Sequence, residues 1–346
     1  MGFSPRQFRS APYFSALALL VCGGACLGVA PVVVKALPFA AEVSAFWRVA
    51  ISAPIFMALA WQGRVAIPTE KSEPSPSFLL FAVAAVLFAA DLTVMHLAIK
   101  LTDVAVATLL TNCAPFFVGV LGLVGLADRP SRRFWTALPV AIGGVFLLLG
   151  ISGGGGVHVA GDAIALCAAA LYGGYLVAVK ALRARGASPA AIMASVTFGS
   201  ALLISPLFLL AGAPVPSDPH TWLLIITLVL VGQVAGQGMV AIALKRLPVS
   251  SGSLVLLIQP AVAGVLSCWL LGENLSILQL IGIASILAAI WIGAIGQPIG
   301  KQSTHRSLRE PEGKVNSSLD ESKQRRGEFR WRRARASSDR RGERPA

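Results

Sequence analysis

Charge is what this sequence has least of. Only 13% of its 346 residues are Asp, Glu, Lys or Arg, while 55% are hydrophobic. A soluble domain carries about 25% charged residues, so an ordinary water-soluble enzyme or binding module is excluded. The deficit is sharper in the body of the chain. Residues 301–346 hold 14 of the 29 basic and 7 of the 16 acidic residues, which leaves 15 basic and 9 acidic residues in the first 300.

Other absences narrow the chemistry. The histidines (His96, His158, His220, His305) are scattered and show no metal-ligand spacing. The five cysteines (Cys22, Cys26, Cys113, Cys167, Cys268) lie inside apolar runs, which argues against a disulfide framework and for small packing residues. There is no phosphate-cradling glycine loop, no His-Glu-x-x-His helix and no nucleophile placed beside a base. We therefore expect no enzyme, no cofactor and no metal.

What is present is a series of apolar runs of roughly 20 residues, the length a helix needs to cross about 30 Å of hydrocarbon. They do not alternate in polarity, as barrel strands would. Ten spans are predicted, at 12–34, 42–61, 78–99, 103–126, 133–151, 162–182, 189–211, 221–243, 249–271 and 276–296. The fold expected is all-α and integral to the membrane. Arg6 and Arg9 before the first run give it the look of a signal peptide, but the run is longer than such a segment and it has an internal twin.

That twin belongs to a repeat. Displacing the chain by 145 residues brings Lys35-Ala36-Leu37 onto Lys180-Ala181-Leu182 and Lys100 onto Lys245. Pro115 then falls on Pro260, Gly28 on Gly173, Asp128 on Glu273 and Ser131 on Ser276. Apolar identities are cheap, but two lysines, a proline and an acidic pair at one constant offset point to duplication of a five-span unit. An odd number of spans puts the second copy upside down, so the expected architecture is ten transmembrane helices as two inverted five-helix repeats. Inverted repeats are a transporter signature, with the solute site near mid-membrane.

With the N-terminus inside, the inner segments before the tail carry twelve Lys and Arg and the outer ones two, Lys35 and Lys100. This satisfies the positive-inside rule. The segments expected are a cytoplasmic N-terminus (1–11), a first unit (12–151), a Gly-rich linker (152–161), a second unit (162–297) and a basic, disordered cytoplasmic tail (298–346). The tail's Arg-rich composition suits contact with anionic lipid head groups. No folded nucleic-acid module accompanies those charges, so no nucleic acid is expected.

The second repeat reads Ser250-Ser251-Gly252-Ser253-Leu254, then Gln259-Pro260-Ala261, then Leu271-Gly272-Glu273-Asn274-Leu275. The first reads Val106-Ala107-Thr108-Leu109-Leu110, Ala114-Pro115-Phe116 and Ala127-Asp128-Arg129, with Phe46-Trp47-Arg48 opening the second span and Gly161-Asp162 the sixth. Over about residues 12–297 the chain resembles the EamA-type transporters of the drug/metabolite transporter superfamily. The first repeat has Ala-Asp where the family's pattern is Gly-Glu, which keeps the charge and loses the glycine. The resemblance implies ten helices, both termini cytoplasmic, and export or exchange of amino acids or related metabolites. The alternatives to a carrier are an intramembrane enzyme and a non-transporting receptor or scaffold. A monomer or homodimer in the cell (inner or plasma) membrane is expected.

A charge at mid-membrane costs about 3 kcal/mol on insertion scales, so each polar residue within a span needs a reason. Asp91 is the deepest carboxylate, and its readings are a proton site, an anchor for a solute amine, or a structural partner of Arg48. Arg48, six residues into the second span, lies about 9 Å deep, which a snorkelling arginine can span. His96 follows Asp91 by five residues, which turns it about 140° away around the helix and separates the two. It reads either as a plain hydrogen-bonding histidine or as a proton relay.

Gln233 and Gln237 share a helix face beside Gly232 and Gly236, which suits lining a cavity or bridging helices. Asn112 and Gln259 lie near Pro115 and Pro260, where a lost helix hydrogen bond gives a kink or a hinge. Tyr172 and Tyr175 share a face of the sixth span and read as solute contacts or as packing. Asp162 reads as the cap of the sixth helix.

Overall fold

A computed structural model describes residues 5–66, 78–101, 109–149, 159–271 and 276–295. Among the described residues there are helices and turns and no strand. The helices are α1 (Pro5–Ala36), α2 (Ala41–Ala66), α3 (Phe78–Leu101), α4 (Ala114–Leu123) and α5 (Arg132–Leu149), then α6 (Val159–Ala184), α7 (Pro189–Leu210) and α8 (Pro219–Ala243). After them come α9 (Val249–Val255), α10 (Ile258–Leu271) and α11 (Ile277–Ile290). The middle of α8, Leu228–Gln237, is π-helical, and a π turn, Trp291–Ile295, extends α11. The first four residues, 103–108 of the expected fourth span, 152–158 of the expected linker, Glu273 and the expected tail lie outside the described residues.

Local sequence starts several of these helices. Ser188 and Asp218 each accept a backbone N–H three residues on, with proline in the first helical position of α7 and α8. At Asp218 the Thr221 hydroxyl and N–H hold the carboxyl below the usual carboxylate range. Ser276 and Gln279 form a reciprocal capping box at α11.

Two of the predicted spans need correction. The fourth and ninth were expected as continuous helices. The chain instead breaks at Asn112–Cys113, and again at Leu256–Leu257 between α9 and α10. Pro115 is the second residue of α4 and Pro260 the third of α10. A first helical turn has no use for the N–H that proline lacks, so these prolines mark restarts rather than bends in a continuous helix. Asp162 lies in the first turn of α6, three residues after its start, where its charge still meets the positive end of the helix. Cys22 and Cys167 are exposed rather than packed inside, as small apolar thiols facing lipid can be.

Among the described residues six helices are long and apolar enough to cross a membrane, and shorter apolar helical stretches run over Leu109–Leu123, Val249–Ala263 and Ile277–Gly293. Their outward faces expose Trp61, Phe78, Leu79, Leu210 and Trp291. Such a surface would aggregate in water, but it matches hydrocarbon, where the helices satisfy their own backbone groups. This is a multi-pass membrane protein.

Side-chain contacts fix the helix directions. α3 and α7 run the same way: the Ser200 hydroxyl reaches the Ala85 carbonyl at 3.2 Å, while Thr93 and Leu97 share a cleft with Ile204 and Leu207. α6 runs against α3, with Gly174 at Leu87 and Ala165 at Ala98. α8 runs against α1, with Met239 at Gly23 and Gly232 at Ala30, and along α2, with Gln233 at Arg48 and Gly238 at Phe56. α2 runs against α7, with Phe46 on Phe208 and Glu42 towards Leu210 and Ala211. α10 follows α1 and α4 follows α6, and α5 runs against α11, with Ala137 at Gly293 and Gly144 at Gly282. Among the described residues, α1 to α5 therefore each run opposite to the helix 145 residues on.

The match extends to single contacts. A methyl group added at Gly28 would lie 2.7 Å from the Gln259 carbonyl oxygen and 2.9 Å from the Val262 Cβ. One added at Gly173 would lie 3.2 Å from the Ala114 carbonyl oxygen and 3.4 Å from the Phe117 Cβ. The two sets of residues correspond one to one at the repeat offset.

Candidate functional site

Most of the polar residues singled out from sequence converge where the two halves meet. Arg48 enters from α2, Asp91 from α3, Tyr172 and Tyr175 from α6, Gln233 and Gln237 from the π-helical part of α8, and Gln259 from α10. Arg48 Nε donates to Gln233 Oε1 at 2.8 Å. This differs from the expected snorkel: the guanidinium turns inward, where its Nε meets a partner amide inside the bundle. The Tyr175 hydroxyl donates to Gln237 Oε1 at 3.4 Å. The Tyr172 hydroxyl lies near the Gln237 and Gln259 amides, and its ring stacks on Tyr175 with centroids 5.8 Å apart.

Asp91 is 7% exposed and lies within electrostatic reach of Arg48, Tyr172 and Tyr175. Among the described residues no ion pair closes between Asp91 and Arg48. A guanidinium and a carboxyl group thus share one low-dielectric interior without touching. Gln233 is fully buried, and its Nε2 has no hydrogen-bond partner among the described residues. A buried donor left unmatched costs about 1–3 kcal/mol, so this amide is ready for an acceptor.

The π-helical segment explains how both glutamines reach the site. Its wider turn, with i→i+5 bonding, places Gln233 towards α2 and Gln237 towards α6, and π turns recur at functional sites. Sequence reasoning found the glutamines but not the π geometry.

It also missed the apolar wall. Phe88 packs on Tyr175 with centroids 4.8 Å apart, and Met193 Sδ lies 3.9 Å from the Tyr175 hydroxyl. Phe88 sits three residues before Asp91 on the same face of α3, and that spacing was the available signal. Asn112 lies half-buried at the break before α4, and the hydrogen bonds just described do not run through it. The His96 side chain lies outside the described residues. Pro115 and Pro260 sit at the helix restarts, with Pro260 directly after Gln259.

The comparisons with known proteins agree with this layout. The model of the EamA-like transporter family matches residues 14–150 and again 159–294. A protein of Bacillus subtilis (strain 168) named "Uncharacterized transporter YwfM" is 29% identical over 214 residues, covering 62% of this chain and 72% of that protein. An "Uncharacterized transporter" of Archaeoglobus fulgidus is 29% identical over 195 residues, covering 56% of this chain and 68% of its own. A solved crystal structure, 17% identical, superposes with a TM-score of 0.67 over 83% of this chain and 96% of that one, a likeness of fold alone. With both halves matched separately and almost end to end, this chain belongs to the EamA-like transporter family.

Proposed function

We propose that this protein is a secondary transporter, an exporter or exchanger of small metabolites such as amino acids or related compounds. It crosses the cell (inner or plasma) membrane ten times as two inverted five-helix repeats, with both termini cytoplasmic, and works by alternating access. The observation that carries this reading is the hydrogen bond from Arg48 of the first half to Gln233 of the second, at 2.8 Å. A site shared between two oppositely directed halves is remade whenever one half rocks against the other.

The geometry favours a solute with an acid end and an amine end. The acid meets the Arg48 guanidinium and the unmatched Gln233 Nε2, and the amine meets Asp91. Tyr172, Tyr175 and Phe88 wall the space between with aromatic surface. When the amine leaves, a proton on Asp91 spares the membrane an uncompensated carboxylate, which couples solute movement to a proton gradient.

The test is reconstitution into liposomes with a panel of labelled amino acids, their des-amino acids and their decarboxylated amines, with and without a pH gradient. The expected result is flux of the zwitterions, enhanced by the gradient. Flux of the simple acids or amines at equal rate would overturn the two-ended site, and no flux across the panel would count against the carrier.

A further inference from the structure

A second polar cluster lies away from the central site. The Lys180 ammonium, near the end of α6, donates to the Leu247 carbonyl at 2.8 Å and to the Lys245 carbonyl at 3.5 Å. It also stands 3.9 Å from Asp128 Oδ2. Asp128, in the turn between α4 and α5, accepts the Val249 N–H at 3.3 Å. Val249 opens α9, so this N–H is one that the helix cannot pair itself, and the carboxylate meets the positive end of that helix. A turn of the first half is thereby tied to two elements of the second.

What lies behind this clasp is polar. Every residue of α9 is buried, including Ser250, Ser251 and Ser253. The Ser250 hydroxyl has no partner among the described residues, an arrangement that calls for water in some other state of the protein. At its far end α9 reaches the break at Leu256–Leu257, just before Gln259 of the central site. A short helix held at one end by the Val249–Asp128 hydrogen bond, with the chain turning at Leu256–Leu257 at the other, can swing as a unit.

We propose that Lys180, Asp128 and the backbone of residues 245–249 form a gate. Closed, as here, it seals this end of the bundle. Open, it releases α9, whose serines then line a watery way to Gln259. The gate rests on the transporter reading. The sequence carries the same residue types at the repeat positions, Lys35 and Glu273, whose side chains lie outside the described residues.

The test is thiol labelling in sealed vesicles. Ser250→Cys serves as the reporter in a protein whose native cysteines are replaced by serine, probed with a membrane-impermeant maleimide from the side bearing the α8–α9 turn. Asp128→Asn removes the charge but keeps an acceptor for Val249, and Lys180→Met removes the cation. Each variant should label the reporter about fivefold faster, the ratio that a partly exposed ion pair supports, and the double variant no faster than either. A control thiol at Ser200→Cys, buried on α7, should not change.

Unchanged reporter labelling in protein of wild-type unfolding temperature would overturn the gate. So would a rise at both thiols, which reports general loosening. Labelling needs no solute, so a gate that opens without any flux would separate a sound gate from a failed carrier reading.

Discussion

The two halves share a scaffold but not a chemistry. At the repeat offset Arg48 falls on Met193, Phe88 on Gln233, Tyr172 on Leu27, and Asp91 on Gly236. The structure builds the same seam twice from these residues. On one side Arg48 bonds Gln233; on the other Met193 and Phe88 both lie against Tyr175. The close helix approaches at Gly28 and Gly173 are kept in both halves, whereas the acid and the base of the site, Asp91 and Arg48, occur in one. The proposed rocking would need a symmetric frame, because each half would have to adopt the other's pose. Binding needs only one set of charges, and each further charge would cost about 3 kcal/mol of insertion free energy.

The largest effect should come from making the polar side resemble its apolar twin. Arg48→Met copies the residue that the second half already carries at this position, so the scaffold should accept it. The change removes a membrane charge but strands Asp91 and leaves Gln233 without its partner. Truncating a charge that pairs with a buried partner group costs about 2–5 kcal/mol of binding, which predicts no counterflow above that of empty liposomes. Counterflow within a few-fold of the parent, in protein that elutes normally from gel filtration, would break the assignment.

Asp91→Asn comes next. The amide keeps the volume and a hydrogen-bonding group but cannot hold an ammonium or carry a proton. A hydrogen bond to a charged group contributes about 1.5–3 kcal/mol, so zwitterion affinity should fall roughly thirtyfold and pH-driven accumulation should vanish. Binding by scintillation proximity and uptake under a pH gradient read the two effects separately. Accumulation at the parent level would remove Asp91 from coupling.

The paired glycines test the symmetric part. Gly28→Ala would press a methyl onto the backbone oxygen of Gln259 at 2.7 Å, and backbone cannot step aside. Gly173→Ala meets its nearest neighbour at 3.2 Å. Overpacking costs about 1–3 kcal/mol, so the first should lower the unfolding temperature in detergent distinctly and the second much less. Equal losses would mean that the two halves are packed alike despite the difference in spacing.

Much of this was legible in the sequence because lipid imposes a crude, readable code. A helix in hydrocarbon needs a long apolar run, and every polar residue within one stands out. The repeat was visible through Lys35 with Lys180 and Pro115 with Pro260, which apolar drift does not produce. What could not be read was partnership. Arg48 and Gln233 are 185 residues apart, and only the crossing of α2 with α8 brings them together. The π-helical course of Leu228–Gln237 was hidden because one residue of slippage per turn leaves no mark on composition. Pro115 and Pro260 announced a disturbance, but proline serves equally at a kink and at a first turn, and the backbone chose the latter.

The smallest of these effects isolates the tyrosine pair from the charges. Tyr172→Phe removes one hydroxyl, which lies near the Gln237 and Gln259 amides, and keeps the ring that stacks on Tyr175. Its repeat counterpart, Leu27, packs against Gly236 with no polar atom, so the frame does not need the hydroxyl. The Tyr175 bond to Gln237 also survives. The net worth of a neutral hydrogen bond is about 1 kcal/mol, which predicts a roughly fivefold loss of solute affinity with the unfolding temperature unchanged. The balance between these two readouts carries the inference. A fall in unfolding temperature with affinity intact would make Tyr172 a strut tying α6 to the α9–α10 break. A fall in affinity alone would place its hydroxyl against the solute, on the polar side of the seam.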